Sequence, residues 1–229
     1  MKTILKYLFC SLLVLVYIHE GYGQQKRVVG PNIGYDVSQI AKGYFYPGYS
    51  AHVLSLDYEI DYLYYPVIEA GLFDLNKDQE SMNYSSDGRF VKLGMDYNVI
   101  GIQGPWDYDM LFGGARIGVA QYNHSARDIV IENNYWGDYQ ADNIETNRLN
   151  ALWLEIVAGL KVEVLTNVFF GWSLRGQLMI AKNKDDNIPP YMIPGYGKGD
   201  NSINIGIQYF ISYRFPIIKK DYKEPEQLL

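Results

Sequence analysis

The chain contains 229 residues, carries a formal net charge of −6 and has one cysteine. This length fits one large domain or two small ones, and an aromatic content of 15% excludes an intrinsically disordered chain. The acidic balance argues against a nucleic-acid partner, and one cysteine excludes an intramolecular disulfide. The spacing of cysteine and histidine predicts no metal site, and no cofactor is implied.

Residues 1–23 have the composition of a secretory signal peptide. Lys2 and Lys6 begin the segment, Tyr7–Ile18 carries no charge, and small residues come directly before Gln24. This apolar stretch is shorter than the about 18 to 20 residues that a membrane-anchoring helix needs. We therefore predict cleavage before Gln24 and export of the remaining chain.

After the signal peptide, apolar residues recur with a period of two, the pattern of a β-strand whose two faces meet different environments. The clearest segments are 91–99, 152–163, 167–180 and 202–215. In each segment one face carries no charge, whereas the other face carries charged residues and glycines. Such segregation predicts a wall with one apolar and one polar side.

Weaker alternation marks four more strands, at 28–37, 51–59, 62–74 and 108–123, with Pro31 and Pro66 inside two of them. The connections are alternately long (38–50, 75–88, 124–149 and 182–200) and short (60–61, 100–107 and 164–166). Transmembrane barrels show this alternation, because long loops lie at one end and tight turns at the other. We therefore predict that residues 24–215 form an all-β domain: an eight-stranded antiparallel up-and-down transmembrane β-barrel of the outer membrane, with long external loops and short periplasmic turns.

Charged residues of the predicted strands belong inside the barrel. Charge on the lipid face costs roughly 2 to 4 kcal/mol at mid-membrane, and an eight-stranded barrel is just wide enough for side chains to fill it. The predicted ionic network of the lumen comprises Glu69, Lys92, Asp96, Arg116, Glu155, Lys161, Arg175 and Arg214. We favour a filled, salt-bridged lumen over an ion path, which would need an open channel.

The last predicted strand ends in an alternating apolar and aromatic run: Tyr209, Ile211, Tyr213 and Phe215. This run resembles the signal that the barrel-assembly machinery of the outer membrane reads on the final strand of its clients. The terminal aromatic residue usually ends such chains, whereas residues 216–229 follow it here. We interpret 216–229 as a solvated, disordered periplasmic tail.

The mature chain as a whole resembles the small outer-membrane barrels of the OmpA/OmpX type. More narrowly, it is similar to uncharacterised Bacteroidota barrels catalogued as domains of unknown function. The resemblance rests on the tyrosine-rich strands, the segment Tyr65–Gly71 and the run Tyr209–Phe215. It implies a barrel architecture with membrane lipid as a partner, and fold alone implies no activity.

Aromatic residues in the predicted external loops are candidates for recognition, because Tyr and Trp offer large contact areas at low entropic cost. The candidates are Tyr44, Tyr46, Tyr135, Trp136, Tyr139, Tyr191 and Tyr196. Their alternative role is an aromatic girdle that anchors the barrel at the membrane interface. We expect these loops to contact lipopolysaccharide, envelope proteins or an external ligand, and we interpret 183–187 as a solvated turn rather than a calcium loop.

Two other functions stay open from the sequence. A secreted lipocalin-like barrel would have the same strand count, with its apolar face lining a ligand cavity. A lipid-modifying outer-membrane enzyme would need a histidine with a serine or acidic partner, for which His52 and the pair His124 and Ser125 are candidates. Neighbours in a strand point to opposite faces, so that pair would form a dyad only in a loop. We therefore predict a non-enzymatic barrel with a structural or surface-interaction role.

Overall fold

Eight antiparallel strands close into a barrel in the structure, a computed structural model that describes residues 26–79, 82–131, 139–140, 142–183 and 189–222. In chain order the elements are β1 (Lys26–Val29), β2 (Pro31–Asp36), α1 (Ser38–Phe45), β3 (Tyr49–Tyr58), β4 (Tyr64–Gln79), β5 (Met82–Asn98), β6 (Met110–Arg127), β7 (Val130–Ile131), β8 (Tyr139–Gln140), β9 (Ile144–Leu165), β10 (Val168–Lys182), β11 (Met192–Ile193), β12 (Gly197–Lys198), β13 (Ile203–Arg214) and β14 (Ile218–Asp221).

The barrel wall consists of β2, β3, β4, β5, β6, β9, β10 and β13, in that order. Each wall strand pairs antiparallel with the next one along the chain, and β13 closes the ring by pairing with β2. Among the described residues, helix α1 and the short β7–β8 and β11–β12 hairpins lie in the connections between wall strands. The predicted eight-stranded, up-and-down antiparallel barrel is therefore confirmed.

Side chains alternate between the two faces of the wall, as the sequence pattern predicts. In β10, Ser173, Arg175 and Gln177 are buried inside the barrel, whereas Trp172 and Leu174 are exposed on its outer surface. The same parity holds in the other wall strands, because successive residues of a strand point to opposite faces. Charged groups thus line the lumen and apolar groups cover the outside.

The two ends of the barrel differ. We call the end with connections 37–48, 128–143 and 183–202 the outer end, and the end with 59–63, 99–109 and 166–167 the inner end. Connection 99–109 covers part of the inner end, where Ile102, Gly104 and Pro105 are buried. This connection therefore packs against the barrel and is more than a tight turn.

The predicted external loop at 75–88 is wrong, because β4 and β5 continue across most of it. Asp74 pairs with Asp87 across the two strands and both side chains are exposed, whereas Phe73 and Leu75 are buried. The alternation therefore continues, but its outward positions are polar. Polar outward residues resemble a loop in the sequence, and here they mark a part of the wall that rises above the apolar surface.

Both prolines inside the predicted strands lie where little pairing is lost. Pro31 is the first residue of β2. Pro66 lies one residue beyond the last β3–β4 pair, which joins Asp57 to Val67. Each proline therefore lies at a position that a ladder flanks on one side only.

A two-stranded ribbon at the inner end joins the two ends of the described chain. The predicted first strand breaks at Gly30, and the residues before it form β1, which pairs with β14 from Lys26 opposite Asp221 onward. The expectation of a disordered tail is therefore wrong for 218–221, because those residues make strand hydrogen bonds. Residues 223–229 lie outside the described chain.

The outer connections contain the remaining elements. Helix α1 follows β2, β7 pairs with β8, and β11 pairs with β12. Ile193 and Tyr196 of the last hairpin are each 1% exposed, so this connection folds back into the mouth of the barrel. Within the described residues, no helix has the length and apolar character needed to cross a bilayer.

Candidate functional site

The outer surface of the wall carries a continuous apolar belt. Every wall strand contributes exposed aliphatic side chains to it, for example Ile33, Leu54, Ile68, Val91, Ile117, Ile156, Leu174 and Ile207. Soluble monomers rarely expose contiguous apolar areas of this extent, so the belt marks contact with another apolar phase.

Aromatic side chains border the apolar belt toward the inner end. The Tyr64 and Tyr97 rings lie 5.4 Å apart on neighbouring strands, and the Tyr213 and Phe215 rings lie 5.0 Å apart. The four residues of the candidate assembly signal are exposed and point outward in one row along β13 and its end: Tyr209, Ile211, Tyr213 and Phe215. A row of this kind is accessible to a partner before the barrel is surrounded by lipid.

A cluster of buried charges from four strands forms the centre of the lumen. Arg175 donates to the two carboxylate oxygens of Glu69 at 2.8 and 2.9 Å and to Glu155 Oε1 at 2.7 Å. Lys92 donates to Glu155 Oε2 at 2.8 Å, and its Nζ lies 3.8 Å from Glu69 Oε2. Each carboxylate therefore contacts two cations or more, which offsets its removal from water.

Three more ion pairs extend this charged region toward the inner end. Arg116 Nη2 donates to Asp96 Oδ2 at 2.9 Å, and Arg116 Nε lies 3.0 Å from Glu69 Oε1 without the alignment of a hydrogen bond. Lys161 donates to Asp57 Oδ1 at 3.0 Å. The central cluster, defined as Asp57, Glu69, Lys92, Asp96, Arg116, Glu155, Lys161 and Arg175, thus has equal numbers of acidic and basic groups.

Arg214 lies apart from the central cluster, at the inner end. Its guanidinium lies 3.3 Å from the centre of the Tyr108 ring, and its Nη2 donates to Asn167 Oδ1 at 2.7 Å. Its ion pair is with Glu163, at 3.5 Å. Arg214 therefore faces the lumen as predicted but belongs to a separate site.

Arg27 of β1 closes the inner end of the lumen. Its fully buried guanidinium donates to both carboxylate oxygens of Glu59 at 2.8 Å and to the Asp107 carbonyl at 2.5 Å. It also lies 4.1 Å from the Tyr108 ring centre. Burial alone would lower the pKa of Arg27, but the hydrogen bond and negative charge of Glu59 raise it, and the net shift is upward. This pair fastens the ribbon to the barrel.

The outer half of the lumen is apolar. Trp153 has no exposed surface and lies in a buried cluster with Phe90 and Ile193. The Tyr196 ring centre is 5.8 Å from that of Trp153. We call residues 189–199, which carry β11 and β12, the plug, because they fill the mouth from inside.

The expectation that Tyr196 faces outward is wrong. Its ring is buried, and its hydroxyl donates to the Asn201 carbonyl at 2.9 Å. Gly195 has a φ of +72°, a conformation that glycine adopts without a steric penalty. Gln177 of the wall donates to the Gly195 carbonyl at 2.8 Å, so the plug turns back into the barrel and is held there.

The remaining external candidates differ in their surroundings. Tyr44 and Tyr46 are 84% and 65% exposed, within and directly after α1. Tyr191 is half-exposed, and its hydroxyl accepts a hydrogen bond from Lys77 Nζ at 3.1 Å. The side chains of three candidates lie outside the described residues: Tyr135, Trp136 and Tyr139.

The two histidines of the described chain lie in different environments. His52 is on the outer surface, where its Nδ1 is 2.8 Å from the Tyr35 hydroxyl. His124 is buried, and its Nδ1 is 3.3 Å from the Tyr84 hydroxyl. His124 and Ser125 are successive residues of β6, so their side chains point to opposite faces.

Side chains fill the described lumen. One cavity of about 30 Å³ lies beside Asp96, Arg116 and Lys161, and another of about 20 Å³ lies beside Arg27 and Tyr108. Each is large enough for about one water molecule. Across the described ranges, no group of three or more His, Cys, Asp or Glu side chains is arranged to hold a metal ion.

Sequence reasoning missed two important lumen residues. Arg27, the partner of Glu59, lies before the barrel, and a two-residue periodicity within the strands gives no signal for it. Trp153 lies on the charged face of the predicted segment 152–163, and this position was the one signal for its burial.

Several solved structures are similar in fold. The N-terminal β-barrel domain of Pseudomonas aeruginosa OprF is 12% identical, with 83% of this chain and 100% of that chain covered and a TM-score of 0.42. Neisserial surface protein A (NspA) is 10% identical over 83% of this chain and 99% of that chain, with a TM-score of 0.40. Acinetobacter baumannii CarO2 is 11% identical over 83% and 100%, also with a TM-score of 0.40.

Sequence comparison gives a more specific relationship. No curated protein matches the chain. The family model described as "Domain of unknown function (DUF6048)" matches residues 4–220, which is nearly the whole chain. The protein is therefore a member of the DUF6048 family.

Proposed function

We propose that this protein is an integral, non-enzymatic β-barrel of the bacterial outer membrane with a structural or surface-interaction role. The observation that carries the proposal is the apolar belt, to which all eight wall strands contribute while the charged strand residues face inward. A closed ring of strands satisfies backbone groups within hydrocarbon, and outward apolar side chains match the lipid.

The filled lumen supports a barrier rather than a pore. Arg27 and its ribbon cover the inner end, the central cluster fills the middle, and the plug fills the outer end. The two cavities beside these layers have volumes of only about 30 and 20 Å³. A passage for nutrients would require these layers to separate.

The orientation of the two faces argues against a secreted lipocalin-like barrel. Such a protein would place its apolar face around an internal cavity, but Ile205 and Ile156, among others, are exposed on the outside. The candidate pair His124 and Ser125 lies within β6, where successive side chains point to opposite faces, so these two residues do not form a dyad.

The outer end is the part of the protein available for interaction. Tyr44 and Tyr46 project from the α1 region, and the tall part of the wall formed by β4 and β5 carries exposed Asp74, Asp87 and Arg89 above the apolar belt. Lipopolysaccharide and neighbouring envelope proteins are the proposed contacts there. The outward row that ends at Phe215 is the proposed contact for the assembly machinery.

Membrane insertion can be tested by electrophoresis of the outer-membrane fraction, with and without boiling. A folded membrane barrel resists detergent, so we expect the unboiled protein to migrate differently from the boiled protein. Recovery in the soluble periplasmic fraction without a mobility shift would contradict the proposal. In the same preparation, N-terminal sequencing should start at Gln24 if the signal peptide is removed as predicted.

Closure of the lumen can be tested with the folded protein in planar bilayers. We expect no stepwise conductance above that of empty bilayers, and no swelling of vesicles in small sugars. A general diffusion porin reconstituted in parallel is the positive control. Reproducible open channels of the wild-type protein would contradict a filled lumen while leaving membrane insertion intact.

A further inference from the structure

The barrel wall has a seam in its outer half, where β2 ends early. β2 pairs with β13 from Asn32 to Asp36 and with β3 from Pro31 to Tyr35, and it stops at Asp36. Residues 49–53 of β3 and 203–209 of β13 extend farther outward on either side. Among the described residues, no strand ladder joins these two extensions, so we call the gap between them the seam.

The seam has the width of one missing strand. Two strand spacings separate β13 from β3 there, which is about 10 Å, and five residues of β3 give it a height of roughly 17 Å. The Val37 amide donates to the Tyr209 carbonyl at 2.9 Å, the last backbone bond before the gap. The edge groups beyond this bond lack the neighbour that a complete wall would supply.

The local sequence explains why β2 stops. The Asp36 carboxylate accepts hydrogen bonds from the Ser38 amide at 2.9 Å, from the Ser38 hydroxyl and from Gln39 Nε2 at 2.7 Å. Such side-chain bonds compete with a strand ladder and turn the backbone. Helix α1 begins at this turn and covers the seam, with Gly43 close to the Tyr49 carbonyl.

The seam lies at the level of the apolar belt. On its β13 side Ile203, Ile205 and Ile207 are 63%, 78% and 53% exposed. Helix α1 adds Ile40 and Tyr44, which are 60% and 84% exposed. An open sheet edge in hydrocarbon is unfavourable, because its backbone groups find no partner in lipid tails. A molecule with an apolar tail and a polar head would match this surface better than tails alone.

The lumen side of the seam has open space, and α1, which covers the seam, carries a lysine. A Cβ placed on Gly206, which faces inward, would meet no atom within 4 Å. Lys92 and Arg175 are already paired with Glu69 and Glu155, whereas the Lys42 side chain of α1 is exposed. Among the described residues, no ion pair joins Lys42 to a carboxylate, so its charge is available to an anion.

We propose that the seam is a lateral binding site for a membrane lipid with a negatively charged head group. Its acyl chain lies along Ile203, Ile205 and Ile207, and its head group contacts α1 through Lys42. This inference rests on the proposed function, because it requires a barrel surrounded by lipid. The exposed aromatic residues of α1 then contact the same lipid instead of a soluble ligand.

Native mass spectrometry of the folded protein in detergent provides the test. Phosphatidylglycerol and phosphatidylcholine with identical acyl chains are added separately, and the fraction of protein that retains one lipid is measured. We expect preferential retention of phosphatidylglycerol. Ile205→Ala should lower this retention about fivefold, since it removes contact with the tail. Lys42→Gln should abolish the preference between the two lipids.

Matched controls separate a built site from lipid that coats any barrel. Ile156 is 74% exposed and, like Ile205, lies opposite Gly176 on a neighbouring strand. Because Ile156 lies in a part of the wall that is paired on both sides, Ile156→Ala should leave lipid retention unchanged. Lys219→Gln, at the inner end, should keep the head-group preference. Equal losses for Ile205→Ala and Ile156→Ala, or equal retention of both lipids by the wild type, would overturn the proposal.

Hydrogen exchange provides an independent measurement on the same samples. Phosphatidylglycerol should slow amide exchange in 203–209 and 49–53 relative to phosphatidylcholine, and no change in either segment would overturn the inference. The heat-dependent mobility shift is recorded throughout. Protein that shows the shift but retains no lipid refutes the seam site alone, whereas loss of the shift refutes the proposed function.

Discussion

The two halves of the lumen are both filled, but by opposite chemistry. The inner half holds the central cluster, in which Arg175 bridges Glu69 and Glu155 with bonds of 2.7 to 2.9 Å. The outer half holds Trp153, Phe90 and the plug, with almost no charge. The wall strands alone supply the first filling, whereas the second needs a loop that returns into the barrel.

The two kinds of filling are expected to contribute differently to the specificity of strand pairing and to the free energy of unfolding. Buried ion pairs recover little net energy, because desolvation offsets most of their attraction, but leaving one partner alone is costly. Apolar burial is favourable in itself and depends on close packing. We therefore expect the ionic half to fix strand register and the apolar half to contribute more of the net free energy of unfolding.

The largest effect is expected for Arg175→Ala. This change leaves Glu69 and Glu155 without their shared cation, which should lower the free energy of unfolding by about 3 to 5 kcal/mol. The measurement is urea unfolding in detergent, monitored by the mobility shift. Arg89→Ala, an exposed residue bound to Gln121, serves as the control and should change little. An unchanged midpoint for Arg175→Ala would contradict a packed ionic half.

Tyr196→Ala tests the apolar half and should cost about 3 kcal/mol, because it removes a buried ring from its contact with Trp153. It should also free the plug, so proteolysis within 189–199 is expected to accelerate while the barrel stays intact. Tyr191→Ala, a half-exposed ring of the same segment, is the matched control. Equal protease sensitivity of both variants would show that Tyr196 does not hold the plug.

A pair of variants at Lys161 and Asp57 sharpens the distinction between specificity and stability. Lys161→Met alone leaves the partly buried Asp57 carboxylate without its cation, with only the hydrogen bond from Asn32, and should destabilise the barrel. The double variant Asp57→Leu with Lys161→Met removes both charges and should regain about 1 to 2 kcal/mol of that loss. The comparison uses unfolding midpoints in one detergent. A double variant less stable than Lys161→Met would show that this ion pair contributes net stability.

The smallest effect is expected for Arg127→Ala. Its contact with Glu145 is 2.5 Å long, but the side chains are 59% and 54% exposed, so solvent screens the attraction. Loss of an exposed pair usually costs about 0.5 kcal/mol or less. A midpoint shift comparable to that of Arg175→Ala would mean that distance, and not burial, determines the value of these ion pairs.

The sequence predicted the wall and its polarity because both follow from local alternation. Leu174 and Arg175 are adjacent yet face lipid and lumen, and a period of two requires only their order. Which charged residues form ion pairs could not be predicted from this pattern, since Glu69 and Arg175 are 106 residues apart and only the register of the closed wall brings them together. Arg214 faces inward by the same alternation, but it lies farther along the barrel axis, at the inner end and apart from the central cluster.

The parts that could not be predicted depend on segments without alternation. Tyr196 lies among glycines and prolines, a composition typical of an exposed loop, and its burial results from the space beside Trp153. Arg27 is recruited by Glu59 and Tyr108, which are far away in the sequence. The end of β2 has a local cause, the hydrogen bonds that the Asp36 carboxylate accepts from Ser38, whereas the predicted strand continued to residue 37.

The β1–β14 ribbon has a consequence for how the barrel folds. Its first pair, Lys26 with Asp221, joins residues from opposite ends of the described chain. Bringing these distant residues together has a large loop-closure entropy cost, which becomes small once β13 has paired with β2. The ribbon should therefore form in the last step of folding. In a pulsed hydrogen-exchange experiment, protection of the β1 amides should therefore appear after protection of the β4 and β5 amides. The time at which the β1 amides become protected would report when the ring closes.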